Sequence, residues 1–233
     1  MARDGRGADG PLRPQNARII TKQINVMSDD LPVNSPVISR SRAWWLLGLL
    51  LITLVLLSLG GENWRNALRY EREAVLAGGE YWRLITGHLV HGTLQHLLLN
   101  AAGLGLVCAL FPREYSLGGW LLVLAASMAA IDLGFVWYEP QLHWYVGFSG
   151  VLHGALAAGL VAWWRHESKG LACAASVIFL AKLAWEQWHG ALPLSGNMPV
   201  IVDAHLYGAI GGVIAASILW ARTQEWSSRR RSL

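Results

Sequence analysis

The sequence predicts an all-α membrane protein built from six membrane-spanning helices. Hydrophobic residues occupy 54% of its 233 positions and charged residues only 15%, whereas an average soluble domain carries about 25% charged residues. A soluble protein of this size could not cover its surface with so few polar side chains. The chain also holds 13 Trp, and indoles concentrate at the two membrane interfaces. These features exclude an ordinary soluble domain.

Six apolar segments are long enough to cross a bilayer, because about 20 helical residues span a hydrocarbon layer of about 30 Å. The expected spans are 43–61, 83–111, 115–138, 147–164, 170–188 and 200–221. The charged stretch 62–82 is expected to be a polar or interfacial loop. Pro112 ends the second span, and Glu139-Pro140 ends the third.

Two polar tails flank the predicted six-helix domain, which covers residues 41–222. Residues 1–40 show no apolar periodicity, so we expect a disordered cytosolic tail without a removable signal peptide. Residues 223–233 are expected to form a short basic cytosolic tail. Met27 is a second plausible start beside Met1, and the sequence does not choose between them.

The distribution of Lys and Arg orients the spans. Basic residues precede the first span, follow the last, and occur in the loops after spans two and four, while the loops after spans three and five have none. Only the first loop departs from this pattern, and its acidic residues offset its Arg. We therefore expect both termini in the cytosol. The formal net charge of +4 follows from this distribution and gives no indication of nucleic-acid binding.

Ser149 is the first candidate for chemistry, within Gly147-Phe148-Ser149-Gly150 at the start of span four. Polar groups in the hydrocarbon region are costly and usually face the bundle interior. Flanking glycines let neighbouring backbone approach and leave N–H groups open to a ligand, which suits a nucleophile. A serine in a membrane helix can also bond to a carbonyl one turn back, so the motif alone leaves a structural role open.

His205 lies at the entry to span six, which starts on the same side of the membrane as span four. Small residues repeat every four positions on both spans: Gly150, Gly154 and Ala158 on the fourth, and Gly208, Gly212 and Ala216 on the sixth. Such stripes permit close helix contact, which would turn His205 toward Ser149. A hydrogen-bonded imidazole would activate the serine. Taken alone, His205 could instead be a helix–helix hydrogen-bond partner.

Span two carries His88, His91, His96 and Asn100. His96 and Asn100 share one helical face at the expected depth of Ser149, and an imidazole and an amide are donors that an oxyanion needs. A metal site is the alternative, because three histidines lie within nine residues. No HExxH occurs, and no acidic residue in the membrane completes an obvious ligand set. We therefore expect no metal and no cofactor, and a structural or interfacial role for His88 and His91.

A further set of charged residues in the spans is Asp132, Lys182, Glu186 and Asp203. The spacing of Lys182 and Glu186 predicts a structural i,i+4 ion pair. Asp203 lies two residues from His205, roughly opposite on the helix, and is a poor third member of a triad. We expect a Ser–His dyad.

These residues together resemble the rhomboid family, and more narrowly its rhombosortase branch. The resemblance covers residues 41–221 and rests on motifs in a fixed order: Trp82-Arg83, Thr86, His91-x4-His96-x3-Asn100, Gly147-x-Ser149-Gly150 and Ala204-His205-x-x-Gly208. Many rhomboids carry Tyr four residues after the nucleophile, whereas this chain has His153. Gly-Phe-Ser-Gly-Val-Leu-His-Gly is typical of the rhombosortase branch.

The resemblance implies a six-helix rhomboid-like bundle in the bacterial inner membrane, with an active site open to the periplasm. It implies an intramembrane serine endopeptidase with Ser149 as nucleophile and His205 as base. His96, Asn100 and the backbone N–H of Ser149 would hold the oxyanion, and His153 would orient His205 or stack on it.

For the rhombosortase branch the resemblance also implies membrane-anchored substrates. Their C-terminal signal would contain a Gly-Gly motif, one membrane helix and a basic tail, and water or another amine would resolve the acyl-enzyme. The natural substrate, the scissile bond and the oligomeric state stay open.

Two other classes compete with a protease. An inactive rhomboid-like protein that binds and escorts membrane helices would usually lack the nucleophile or the base, and both are present here. A small transporter would show internal repeats and helices broken at mid-membrane, whereas the polar residues of this chain cluster near one membrane face.

Overall fold

The computed structural model describes residues 37–192 and 200–231, and in these ranges the fold is almost entirely helical. The helices are α1 (Val37–Leu59), α2 (Gly61–Leu68), α3 (Arg72–Leu76), α4 (Arg83–Leu89), α5 (Leu94–Leu110), α6 (Leu117–Tyr138), α7 (Ser149–His166), α8 (Lys169–His189) and α9 (Asp203–Arg231). Strands β1 (Tyr70–Glu71) and β2 (Trp144–Tyr145) pair antiparallel. The predicted all-α class is confirmed.

The two predicted tails lie at the ends of the described part of the chain or outside it. Most of the tail 1–40 lies outside the described residues, and 37–40 belong to α1. Helix α9 continues through residues 223–231, so that part of the predicted C-terminal tail is helical. The segment 193–199, which joins α8 to α9, also lies outside the described residues.

Length and composition qualify two described helices as membrane spans, namely α6 and the portion Asp203–Gln224 of α9. A third candidate is formed by α4 and α5 together, a pair bent by 90°. Helices α7 and α8 carry polar side chains along their inner faces, which lowers their hydropathy. The count of six spans therefore stays a prediction.

The outer faces of the long helices are apolar. On α8, Val177, Ile178 and Leu180 are 59%, 70% and 61% exposed, and on α1, Leu49 and Ile52 are 62% and 57% exposed. Soluble proteins rarely expose contiguous apolar surface of this kind. These faces are suited to contact with lipid, and the chain is a membrane protein.

The second predicted span is divided into two helices, which corrects the expectation of one helix over 83–111. Helix α4 ends at Leu89, and the next residue, Val90, has an extended backbone with φ −91° and ψ 156°. Helix α5 begins at Leu94 and is capped by Thr93, whose hydroxyl accepts a hydrogen bond from the N–H of His96 at 3.1 Å. A side-chain cap of this kind marks the start of a helix. Hydropathy alone does not predict this start, because the residues around it are mostly apolar.

The predicted polar loop 62–82 is likewise folded, into α2, β1 and α3. Arg83 is 9% exposed and organises this segment. Its guanidinium pairs with Glu80 at 2.6 Å and donates to the carbonyls of Asn66 and Arg69, both at 2.9 Å. A charged group that is buried must be satisfied in this way, so Arg83 joins the start of α4 to the end of α2.

Arg72 joins the same segment to α6. Its guanidinium donates to the carbonyls of Phe135 at 2.8 Å and Val136 at 3.0 Å. These carbonyls belong to the last turn of α6, which has no intrahelical donors for them and carries the negative end of the helix dipole. Arg72 therefore caps α6 from a distant part of the sequence.

Helices α6, α7 and α9 form the centre of the bundle and approach each other along glycines. A Cβ added at Gly208 would lie 2.0 Å from the carbonyl oxygen of Gly150, and one at Gly212 would lie 2.0 Å from that of Gly154. On the other side of α9, a Cβ at Gly211 would lie 2.4 Å from the carbonyl oxygen of Ala126. Small residues of this kind let the backbones of membrane helices touch, and this contact sets the separation of α7 and α9.

Candidate active site

Ser149 is the first residue of α7 and follows a turn that requires glycine. Gly147 has φ +124°, and a Cβ there would lie 2.5 Å from Cε1 of His96. The N–H of Gly147 donates to the carbonyl of Gly87 at 3.0 Å, and the hydroxyl of Tyr145 donates to the carbonyl of Gly147 at 2.7 Å. The N–H of Ser149, in the first turn of a helix, has no intrahelical acceptor. The turn therefore presents both a hydroxyl and an N–H at the start of α7.

His205 lies opposite Ser149 in the first turn of α9. Its Nε2 is 2.9 Å from Oγ of Ser149, and the residue is 5% exposed. The close glycine contact between Gly150 and Gly208, one turn along α9 from His205, holds the two helix starts together. The structure thus brings together the two side chains that the sequence indicates as nucleophile and base.

Helix α8 adds two charged side chains to this pair. Oε2 of Glu186 is 2.9 Å from Nδ1 of His205 and accepts a hydrogen bond from Nζ of Lys182 at 2.6 Å. Nζ of Lys182 is itself 3.4 Å from the same Nδ1. The ion pair predicted within α8 is present, but both of its members also face His205, and Glu186 rather than Asp203 stands at Nδ1. The sequence analysis did not predict the contact between Glu186 and His205. The charged pair inside an apolar span could have indicated it, because charged groups in such spans are usually functional.

His153, one turn along α7 from Ser149, completes the group. Its ring stacks on that of His205, with centroids 4.0 Å apart and an interplanar angle of 15°. Nδ1 of His153 is 2.7 Å from the carbonyl oxygen of Ser149, and Nε2 contacts Nζ of Lys182. His153 therefore does more than stack, because it links α7 to the charged pair of α8.

His96 and Asn100 lie on α5 and line the same cavity as Ser149. Asn100 is 3% exposed, and its Nδ2 has no hydrogen-bond partner among the described residues. A buried donor without a partner costs about 1–3 kcal/mol, so an acceptor that enters the cavity would satisfy it.

The cavity has a volume of about 450 Å³, within the range of small-molecule and peptide pockets. Its polar walls are the side chains described above. Its other walls are mainly apolar and come from the segment 141–146, from Leu99 on α5, and from Leu192, Val200 and Ile201 near the junction of α8 and α9. The cavity can hold a short extended segment of polypeptide against Ser149.

Comparison with known proteins assigns this arrangement to a family. The family profile of the rhomboid domain matches residues 78–222, more than half of the chain and every residue of the site. The chain belongs to the rhomboid family.

Two proteins of Bacillus subtilis (strain 168) are similar to this rhomboid protein. YdcA, provisionally named as a rhomboid protease, is 31% identical over 152 residues, which are 65% of this chain and 73% of YdcA. Rhomboid protease GluP is 28% identical over 179 residues, which are 74% of this chain and 33% of GluP. The chain therefore spans most of the first relative and about a third of the second.

The other two histidines of the second span lie outside the cavity of this rhomboid domain. His88 is 1% exposed, and its Nε2 is 3.2 Å from Oδ1 of Asp132, a contact that ties α4 to α6. His91 is also buried, with Nδ1 3.4 Å from Oγ of Ser58 and its ring edge-on to that of His96. Of the two expected roles, structural or interfacial, their burial favours the structural one.

The ammonium group of Lys182 is the cation within this rhomboid site. Among the described residues, His153, Glu186 and His205 offer three ligand atoms within 4.8 Å of one another. Nζ of Lys182 contacts the same three side chains, so an ammonium stands where a metal ion would bind. The histidines of the second span form no group of this kind in the part of the chain that the structure describes.

Proposed function

We propose that this protein is an intramembrane serine endopeptidase in which Ser149 is the nucleophile and His205 the general base. The observation that carries the proposal is the 2.9 Å distance between Oγ of Ser149 and Nε2 of His205, which is within the reach required of a nucleophile and its base. The names of the two relatives support the reaction class. The presence of both residues argues against an inactive rhomboid-like protein that only escorts membrane helices.

The proposed setting is a bacterial inner membrane that the chain crosses six times, with α1, α7 and α8 completing the spans. The Lys/Arg distribution supports cytosolic termini and a cavity open to the periplasm. Ser149 and His205 both lie at the starts of their helices, which supports a position for both near one membrane face.

In the proposed reaction, a substrate helix docks laterally and an extended segment of it enters the cavity. His205 takes the hydroxyl proton at Nε2 while Oγ of Ser149 bonds to the scissile carbonyl carbon. The C–N bond then breaks, and His205 returns the proton to the leaving amine. Water or another amine then attacks the acyl carbon while His205 takes its proton at Nε2. The C–Oγ bond breaks and His205 returns that proton to Oγ, which frees Ser149 and completes hydrolysis or transfer.

The developing oxyanion would be held by the N–H of Ser149, the amide of Asn100 and the ring of His96. The unpartnered Nδ2 of Asn100 supports this role, because a buried donor aimed into a cavity is available for an incoming oxygen. The N–H of Ser149 is likewise without an intrahelical acceptor.

We propose that the substrates are membrane-anchored proteins with a C-terminal signal made of a Gly-Gly motif, a membrane helix and a basic tail. The sequence Gly-Phe-Ser-Gly-Val-Leu-His-Gly at 147–154 supports this assignment to the rhombosortase branch. A helical substrate must unwind before its carbonyl can reach Ser149, and each glycine destabilises a helix by about 1 kcal/mol relative to Ala. A Gly-Gly motif would lower that cost.

The test uses purified full-length protein in detergent with a model substrate that carries this signal. Ser149→Ala and His205→Ala serve as controls, and cleavage is followed by gel and mass spectrometry. We expect cleavage by the parent and by neither variant. Equal binding to all three proteins without cleavage would favour an escort protein, and cleavage by Ser149→Ala would exclude the serine mechanism.

A further inference from the structure

Helix α8 carries an ion pair where a membrane helix ordinarily has none. Lys182 and Glu186 lie on the inner face of α8, and the side chain of Glu186 is only 4% exposed while that of Lys182 is 25% exposed. Burying two charges is costly even when they are paired, and apolar residues could pack α8 at lower cost. Both charged groups contact His205, so the pair is placed to act on the imidazole.

The carboxylate of Glu186 determines which ring nitrogen of His205 carries the proton. An ionised carboxylate only accepts hydrogen bonds, so the 2.9 Å contact with Nδ1 requires the proton on Nδ1. Nε2 then has a free lone pair, 2.9 Å from Oγ of Ser149, and the serine hydroxyl donates to it. This is the tautomer that a general base must have.

Lys182 favours the opposite tautomer. Its ammonium only donates and lies 3.4 Å from the same Nδ1. Without the carboxylate, Lys182 would donate to Nδ1 and the proton of the neutral ring would move to Nε2, where it would face Ser149 and block proton transfer. Glu186 therefore prevents the inactive tautomer as well as stabilising the active one.

His153 supplies Lys182 with a second acceptor. Nδ1 of His153 faces the carbonyl oxygen of Ser149 at 2.7 Å, and because a carbonyl only accepts, that nitrogen carries the proton. Nε2 of His153 is then a lone-pair acceptor for Nζ of Lys182. Held by Glu186 and His153 together, the ammonium leaves Nδ1 of His205 to the carboxylate.

We propose that Glu186 is a positioning residue that fixes the tautomer of His205, so that the site is a Ser149–His205–Glu186 triad in place of a dyad. Lys182 is the counter-ion of Glu186, and His153 gives its ammonium a second acceptor. The inference rests on the proposed serine mechanism and adds a residue that the motifs of the second, fourth and sixth spans do not contain. When His205 accepts the serine proton, the adjacent carboxylate also stabilises the resulting imidazolium.

The experiment has two readouts, both on purified full-length protein in detergent. One is labelling of Ser149 by a fluorophosphonate, which reports the reactivity of the serine without any substrate. The other is kcat and KM for cleavage of the model substrate. The variants are Glu186→Gln, Glu186→Asp, Lys182→Met and the double variant Lys182→Met/Glu186→Gln, with thermal unfolding recorded for each. Glu167→Gln, an exposed glutamate at the end of α7, is the matched control.

We expect Glu186→Gln to lower both the labelling rate and kcat by about 10²–10⁴-fold, as loss of the corresponding carboxylate does in other serine proteases. KM should stay within about threefold, because Glu186 acts through His205 rather than on bound substrate. Glu186→Asp should recover part of the rate, and Glu167→Gln should match the parent.

The double variant distinguishes tautomer control from general damage. Removing Lys182 takes away the donor that favours the inactive tautomer, so Lys182→Met/Glu186→Gln should label faster than Glu186→Gln and more slowly than Lys182→Met. A merely structural ion pair instead predicts a double variant that labels as fast as Lys182→Met or faster, because removing both charges leaves neither of them buried without a partner. If Glu186→Gln fails to fold, a double variant that labels as fast as Lys182→Met overturns the proposal.

The two readouts also separate this inference from the proposed function. A parent that is neither labelled nor able to cleave contradicts the serine mechanism and the triad together. A parent that is labelled, with Glu186→Gln labelled at the same rate, contradicts the role of Glu186 alone.

Discussion

Asn100 is a single residue whose placement costs stability and suits the proposed oxyanion role. Its amide is buried on α5, in the wall of the cavity, and its Nδ2 has no partner in the described residues. A group that served only packing would be replaced by Leu of similar volume at no loss. An amide kept without a partner is suited to a charge that appears only during the reaction.

Asn100→Leu should therefore separate activity from stability. We expect kcat to fall about 10²–10³-fold, while the thermal unfolding midpoint stays the same or rises, because Nδ2 of Asn100 has no partner among the described residues to lose. Steady-state cleavage and a thermal melt in the same detergent measure both effects. Asn66→Leu, at an exposed position on α2, is the matched control, and an unchanged kcat in Asn100→Leu would contradict the oxyanion role.

At the scale of elements, the site depends on how closely α7 and α9 approach. The Ser149–His205 distance of 2.9 Å exists because Gly150 and Gly208 allow backbone contact between these helices. The break between α4 and α5 is equally important, because it starts α5 at the level of the cavity. His96 is in the first turn of α5 and Asn100 in the second, so both donors lie at the depth of the serine.

Gly208→Ala should disturb the site by moving α9 away from α7. The new methyl group would lie 2.0 Å from the carbonyl oxygen of Gly150, and overpacking of this kind typically costs about 1–3 kcal/mol. We expect a lower unfolding midpoint and slower fluorophosphonate labelling of Ser149.

Gly105→Ala on α5 is the matched control, because a Cβ there meets nothing within 4 Å. The gain in helix propensity, about 1 kcal/mol at most, should leave its stability equal or slightly higher. Equal labelling rates for Gly208→Ala and the parent would contradict the proposed dependence on helix separation.

At the scale of the whole molecule, apolar and polar groups are separated between the outside and the inside of the bundle, and along the length of α7 and α9. Apolar side chains cover the outer faces of the long helices, while the polar cavity lies inside the bundle and near one end of α7 and α9. The segment α2–β1–α3 is fastened to this bundle by Arg72 and Arg83, which donate to backbone carbonyls. Lys and Arg occur in the loops after the second and fourth predicted spans and not in those after the third and fifth, while α2–β1–α3 carries Arg of its own.

The predicted orientation can be measured by cysteine labelling in spheroplasts. In a Cys173→Ala background, Gln141→Cys marks the segment between α6 and α7, and Glu167→Cys marks the turn between α7 and α8; both positions are exposed. A membrane-impermeant maleimide should label Gln141→Cys in intact spheroplasts and Glu167→Cys only after permeabilisation, because the basic loops stay in the cytosol. The reverse pattern would contradict the orientation.

The sequence by itself determined those features that depend on local composition and periodicity. The helical class follows from hydropathy, because a backbone in lipid must satisfy its hydrogen bonds within each segment. The i,i+4 repeat of small residues on the fourth and sixth spans likewise indicated that their faces meet, and with them Ser149 and His205. Such patterns can be predicted from sequence because they depend only on the spacing of residues within one helix.

Only the tertiary structure decided which distant side chains meet. The contact between Glu186 and His205 depends on how α8 is rotated against α9, and the spacing of Glu186 from Lys182 does not specify that rotation. Arg72 and Arg83 likewise donate to backbone carbonyls that are distant in sequence. These hydrogen bonds fasten the segment 62–82, which was predicted to be a loop and is folded into α2, β1 and α3. Rotation and long-range hydrogen bonding are properties of packed helices, so they appear only once the whole bundle is assembled.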